Sequence, residues 1–249
     1  MIDLENQVVL ITGGGGGLGR AMGKRFRALG AKVALCDLDS SDGQADADAL
    51  GDGVEFFAMD VTDEAAVHGA FDAVAERLGP VTGCVANAGI APTAPSLEYA
   101  LETWNKVISI NQTGVFLTAQ AAGRAMAERG GSIVLTSSIA GLTVVHPERH
   151  IAYGASKAAV SHMAALLGVE WAKRGIRVNA IAPGYVNTSI LDAMREKDPE
   201  TYQAWVDAMP IGRLLEPEEV ADAVAFLLSD LARAVTGETL ACDGGYSKA

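Results

Sequence analysis

Val8-Val9-Leu10-Ile11-Thr12-Gly13-Gly14-Gly15-Gly16-Gly17-Leu18-Gly19 is a short apolar run cut off by five consecutive glycines. A helical pattern follows from Leu18 to Leu29, with Met22, Phe26 and Leu29 on one side, and a second apolar run, Lys32 to Cys36, ends at Asp37. Strand, loop, helix and strand within ~30 residues make a β-α-β unit. A flexible loop would be the bland reading of so many glycines, but this loop sits between a strand and a helix. There, free backbone N–H groups and the positive end of the helix dipole can hold a pyrophosphate, and glycine lets the backbone come close to it. Gly13, Gly17, Leu18 and Gly19 are therefore expected to bind a dinucleotide. Asp37 lies 18 residues beyond Gly19, where a carboxylate accepts hydrogen bonds from a ribose 2'-hydroxyl and repels a 2'-phosphate. No arginine or lysine follows it in Leu38-Asp39-Ser40-Ser41, so NAD is expected in preference to NADP.

The alternation continues along the chain. Strands are expected at Val54 to Met59, Thr82 to Ala86, Ser132 to Thr136, Arg177 to Ile181 and Thr239 to Cys242. Helical patterns separate them at about 41 to 50, 63 to 78, 103 to 129, 153 to 174 and 216 to 228. Near-continuous apolar strands alternating with helices predict an α/β fold: a doubly wound parallel sheet of about seven strands, covered by helices on both faces. With no linker or repeat, residues 1–249 are expected to form one domain. One long connection, Tyr185 to Leu215, stands out. Tyr202, Trp205 and Met209, at spacings of three and four, predict a short amphipathic helix in it, and the segment is expected to act as a lid over a substrate pocket.

Composition narrows the function. A chain of 249 residues buries roughly 70 to 75% of its unfolded surface, enough for a large core. A net charge of -12 has the wrong sign for a nucleic-acid or anionic-membrane partner. No apolar run approaches the ~18 residues that span a bilayer, and the amino terminus lacks the pattern of a secretory signal. Cys36, Cys84 and Cys242 are odd in number and fit no metal spacing; buried, inert thiols in a cytoplasmic protein are expected. His146 and His150 flank Glu148, but Pro147 opposes the continuous helix that would aim both rings at one ion. No metal is expected; the loop either lines a substrate pocket or is solvated.

Tyr153-Gly154-Ala155-Ser156-Lys157 puts a phenol and an ammonium one helical turn apart. A free tyrosine, with a pKa of roughly 10, is a poor base, but a nearby cation favours the phenolate, and Tyr153 could then take a proton from an alcohol. Tyrosine and lysine also fall four apart by accident. The weight comes from what accompanies them.

In order and spacing the chain resembles a short-chain dehydrogenase/reductase of the compact type. The matching features are Thr12 to Gly19, Asp60-Val61 after the third strand, Asn87-Ala88-Gly89 after the fourth, Asn111 in the fifth helix, Ser138 after the fifth strand, Tyr153 with Lys157, then Pro183-Gly184 and Thr188. The resemblance covers the whole chain and implies a Rossmann-type fold. It implies that Asp60 and Val61 contact adenine, that Asn87, Ala88 and Gly89 wall the cofactor ribose, and that Pro183, Gly184, Val186 and Thr188 lie along the nicotinamide, with Thr188 gripping its carboxamide. Ser138 would polarise the substrate oxygen, Tyr153 would be the acid/base, Lys157 would lower its pKa and hold the ribose, and Asn111 would kink its helix and position a proton-relaying water. Ser137 is expected to be a buried strand-end hydroxyl. Ala86 stands where the family commonly has Asn, and Ser138 and Tyr153 are 15 apart, about two more than the commonest spacing.

The loop before Tyr153 and the segment Met194 to Trp205 resemble the galactitol and sugar-alcohol dehydrogenase branch. The resemblance thus implies an NAD-dependent oxidation of a secondary alcohol, a polyol or sugar, by a homotetramer paired through the helices over 103 to 129 and 153 to 174 and the carboxy-terminal region. A 3-oxoacyl carrier-protein reductase and a non-catalytic NAD-binding regulator are the alternatives.

Overall fold

The computed structural model describes residues 2–188 and 197–249. Seven strands form one sheet: β1 (Val8–Thr12), β2 (Lys32–Asp37), β3 (Val54–Ala58), β4 (Gly83–Ala86), β5 (Gly131–Thr136), β6 (Ile176–Pro183) and β7 (Thr239–Cys242). Their order is β3-β2-β1-β4-β5-β6-β7, and every pairing is parallel. The strand order reverses between β1 and β4. Crossovers leave these two strands in opposite directions, and a crevice opens beyond their carboxyl ends.

Strand parity divides the core in two. Val8 and Leu10 of β1, Ala34 and Cys36 of β2, and Ile133 and Leu135 of β5 face one layer; Val9, Ile11, Val33, Leu35 and Val134 face the other. Period-two side chains buried on both faces are why these strands read as unbroken apolar runs. One face is covered by α1 (Gly17–Ala28), α2 (Gly43–Leu50) and α8 (Pro217–Leu228). The helices α1 and α8 are tied by an Arg25–Asp222 ion pair. The other face is covered by α3 (Glu64–Arg77), α5 (Val115–Ala125) and α6 (Ile151–Trp171), and α4 (Leu101–Ile108) packs on α6. Asp63 caps α3 by accepting from the Ala65 and Ala66 N–H groups at 2.9 and 3.2 Å.

The expected helix over 103 to 129 is three pieces. A π turn, Ser109–Gly114, separates α4 from α5, and the chain leaves the helix at Met126 to reach the left-handed Gly130. Gly114 packs so close to Val61 that a Cβ there would lie 2.7 Å from its Cγ2. The expected helix over 153 to 174 starts earlier, at Ile151, and ends at Trp171 in a short 3-10 turn.

In the long connection, α7 (Pro199–Ala208) is the expected amphipathic helix. Asp198 caps it, accepting from Thr201 N at 3.1 Å. Trp205 and Met209 are buried in the α8-side core and Tyr202 is half-buried. Residues 189–196, and with them Met194 of the expected lid, lie outside the described residues. Among the described residues no helix is long and apolar enough to cross a membrane.

Candidate active site

A cleft of about 420 Å³ lies at the β1/β4 reversal. Its lining includes Gly13, Gly17, Leu18, Gly19, Asp37, Asp60, Val61, Asn87, Ala88, Gly89 and Thr188, which the sequence singled out. Gly16, Leu38, Met59, Ile90 and Ile110 also line it. Those five are apolar or small residues one or two places from the motif positions, and only the tertiary fold turns them inward. Pro183, Gly184 and Val186 are not in the lining. Pro183 ends β6, Gly184 presses against the Asp243 backbone, where a Cβ would lie 2.9 Å from its Cα, and Val186 bridges to Leu215. They carry the chain to Thr188, which reaches the cleft wall beside Gly17.

The glycine loop is shaped by close approaches. A Cβ on Gly19 would run into the Gly13 carbonyl oxygen, and one on Gly14 would lie 2.9 Å from Leu35 Cα. Gly13 sits at φ +66°, which favours glycine. Thr12 locks the loop to the next strand. Its Oγ1 accepts from Asn87 N at 2.9 Å and Ala88 N at 3.1 Å, while Asn87 Nδ2 donates to Thr12 O at 3.0 Å. Asp37 is fixed from two sides: Oδ2 accepts from Gly15 N at 3.0 Å and Oδ1 from Leu38 N at 2.8 Å. A cradle with no room for a Cβ at Gly14, Gly15 or Gly19, at the amino end of α1, with an acid at its far side, fits a dinucleotide.

The proposed chemical groups, Asn111, Ser138, Tyr153 and Lys157, are absent from that lining and gather behind its Gly89 edge. Lys157 is buried. Its Nζ lies 5.5 Å from the Tyr153 ring centre, and a Cβ on Gly89 would sit 3.4 Å from that nitrogen and 3.3 Å from Asn111 Oδ1. Lys157 Nζ donates to Thr136 O at 2.6 Å, and burial brings its pKa down to about 8. Burial pushes the Tyr153 phenol up, and the Ser138 hydroxyl, within its reach, opposes that rise. The ammonium stands beside the ring while donating to a carbonyl, and the Ser138 hydroxyl acts on the phenol in addition.

Ser138 and Ser137 separate as expected. Ser137 Oγ turns inward, donating to Lys157 O at 2.8 Å and sitting 2.7 Å from Ser161 Oγ. Ser138 caps a short turn over Ala140 and faces Tyr153. Asn111, fully buried in the π turn, clamps Ile90: its Nδ2 donates to Ile90 O and its Oδ1 accepts from Ile90 N, both at 2.9 Å. Its Nδ2 also reaches Ser156 Oγ at 3.3 Å. The wide turn is what aims this side chain at the loop after β4.

The segment between Ser138 and Tyr153 closes the site. The Tyr185 hydroxyl donates to Glu148 Oε2 at 2.9 Å and to His146 O at 3.0 Å, while Ala94 N donates to Arg149 O at 2.8 Å. The Tyr185 ring stacks on Trp205 at 5.4 Å. A second cavity, of about 460 Å³, lies between Pro147, Glu148 and Arg149 on one side and Asp198, Thr201 and Trp205 on the other. His146, Glu148 and His150 do not converge, and among the described residues no metal-holding cluster occurs. Of the three cysteines, Cys36 and Cys84 are buried, and Cys242 is only half-buried, because β7 is the sheet edge.

Residues 14–247 match the family model described as Enoyl-(Acyl carrier protein) reductase. The chain is 42% identical to galactitol 2-dehydrogenase (L-tagatose-forming) of Cereibacter sphaeroides, over 98% of this chain and 96% of that one. It is 37% identical to D-threitol dehydrogenase of Mycolicibacterium smegmatis, over 98% and 94%. A short-chain type dehydrogenase/reductase from Mycobacterium marinum superposes with a TM-score of 0.93 at 34% identity, covering 100% of this chain and 98% of that one. Sequence likeness along nearly the whole chain, on the same fold, makes this protein a member of the short-chain dehydrogenase/reductase family, oxidoreductases that work with a nicotinamide cofactor.

Proposed function

We propose that this protein is an NAD-dependent dehydrogenase that oxidises a secondary hydroxyl of a polyol or sugar alcohol, carried on one domain, in the cytoplasm, as a homotetramer. The observation that carries the reading is the joining of two features: a glycine cleft with Asp37 fixed at one end, and Ser138, Tyr153 and Lys157 gathered behind its Gly89 wall. Asp37 supports NAD. Its two oxygens are held by backbone N–H groups with lone pairs to spare, and it would repel a 2'-phosphate. The likeness to galactitol and threitol dehydrogenases supports the substrate class, as does a second cavity edged with Glu148, Asp198 and Thr201.

A bound nicotinamide supplies the hydride acceptor in the oxidative direction. The chain supplies position and a proton path. Ser138 Oγ holds the substrate oxygen, and Tyr153 Oη takes its proton. Lys157, close to Gly89, faces the place of the cofactor ribose and keeps a positive charge behind the phenol. Asn111 fixes Ile90 and so the wall of Asn87, Ala88 and Gly89; Thr188 holds the nicotinamide side of the cleft. Asp60 and Val61 bound the adenine end.

The matching family model, described as that of an acyl-carrier-protein reductase, favours a second reading, reduction of an acyl group on a carrier protein. Net charge -12 is a poor match for an acidic carrier, and Asp37 disfavours NADPH. Initial rates of NADH formation across polyols, sugars and simple secondary alcohols, with NADP in parallel and acyl-carrier substrates assayed in reverse, test the proposal. Turnover of a polyol with NAD supports it; activity confined to NADP or to acyl substrates overturns it.

A further inference from the structure

His150 is left over from the chemistry described above, and its surroundings are specific. It stands at the amino end of α6 but its side chain makes no cap bond; its carbonyl alone serves the helix, accepting from Gly154 N at 3.0 Å. Instead the imidazole turns toward Tyr153 and meets that ring edge-on, with centres 5.1 Å apart. Its Nε2 is shielded from solvent and has no hydrogen-bond partner among the described residues. A shielded polar nitrogen without a partner is costly, and the cost is removed when something fills the site. Burial pushes the imidazole below its ordinary pKa, against the opposing pull of Glu148, so the ring is neutral at neutral pH and Nε2 can meet a hydroxyl as donor or acceptor.

The segment holding His150 is pinned on both sides. Tyr185 grips His146 and Glu148, and Ala94 grips Arg149. The imidazole is therefore placed before substrate arrives, as a specificity contact requires. It also lies at a junction: Tyr153 is on one side, and on the other the residues just before it, Pro147 to Arg149, wall the 460 Å³ cavity.

We propose that His150 is the second substrate contact, hydrogen-bonding through Nε2 to the hydroxyl on the carbon next to the one oxidised, so that the enzyme selects vicinal diols over isolated alcohols. The two oxygens of a vicinal diol lie close enough for one to face Tyr153 and Ser138 while the other faces His150. The remainder of a longer polyol then extends into the cavity beside Glu148 and Trp205. This inference rests on the alcohol-dehydrogenase reading and adds the feature of the substrate that is recognised.

The test uses full-length enzyme with NAD and compares the cis and trans vicinal cyclohexanediols with cyclohexanol, which lacks the second hydroxyl. His150→Phe keeps an aromatic edge on Tyr153 and removes the nitrogen. His150→Gln restores a polar group of similar reach. The wild type should prefer one diol. His150→Phe should lower kcat/KM for that diol by roughly tenfold or more, since a site built to bond a hydroxyl discriminates through that bond, and leave cyclohexanol within about threefold. His150→Gln should recover part of the loss. A merely structural role for His150 would lower both substrates together. A wild-type diol preference that survives His150→Phe overturns the inference and leaves the dehydrogenase reading intact. No diol preference in a wild type that turns over cyclohexanol also overturns it, whereas no turnover of any of these alcohols with NAD strikes the parent reading first and the inference with it.

Discussion

In the proposed reaction Tyr153 and Ser138 set the pH behaviour of the site, and Lys157 sets part of that of the fold. Burial raises the phenol and the Ser138 hydroxyl lowers it. Alcohol oxidation needs the phenolate, so kcat/KM should climb with pH, and Ser138→Ala, by removing the group that lowers the phenol, should move that climb to higher pH as well as reduce its plateau. A pH profile of both proteins checks the direction; a shift to lower pH would contradict it. Lys157 leads to a stability prediction. Its folded pKa, about 8, is below its ordinary 10.5, so between those values the unfolded chain holds more protons and stability from this group rises with pH. The span corresponds to about 3 kcal/mol. Replacing Lys157 by Met should flatten that part of the stability profile, read by chemical denaturation at pH 8 and above. At this scale the motif residues were legible, because glycine, tyrosine and lysine at fixed spacing carry their chemistry with them. The partners were not. That Lys157 bonds Thr136, or that Gly15 orients Asp37, depends on strands meeting across the sheet.

Among the elements, the sheet and most helices could be read because their apolar periods are strong. The π turn at Ser109–Gly114 leaves no trace in the helical periodicity, and only the family resemblance, through Asn111, points to a kink there. Its consequence, Asn111 clamping Ile90, is what joins α4 and α5 to the cleft. The loop-to-helix junction at Gly19 is equally demanding. Gly19→Ala forces a Cβ against Gly13 O, so it should weaken NADH binding, measured by fluorescence titration, by at least tenfold, and lower the melting temperature. In the long connection the helix was predictable from Tyr202, Trp205 and Met209, but its stacking on Tyr185, and through it the hold on Glu148, was not. Removing that indole creates a void under α7. Trp205→Ala should cost about 3 kcal/mol in denaturant and release the Tyr185–Glu148 contact, visible as a raised KM for polyols.

For the whole molecule, two observations bear on assembly and chemistry together. Phe116 of α5 and Leu166 and Val169 of α6 remain exposed, at 40%, 58% and 77%, while Met163, Leu167 and Trp171 of the same helix pack on the core. The sheet covers the inner face of α6, and a second subunit on the outer one accords with the proposed tetramer. Sedimentation should give four chains at micromolar concentration, and Val169→Glu should shift it to smaller species. The proposed reaction depends on the fold bringing one cofactor cleft and one phenolic base together. Tyr153→Phe tests it most directly, with turnover of a polyol and NADH binding measured on the same preparation. Removal of the hydroxyl should cut kcat by about a hundredfold to ten-thousandfold and leave NADH affinity within a few fold. Turnover within tenfold of the unaltered protein would contradict the assignment of Tyr153 as the base.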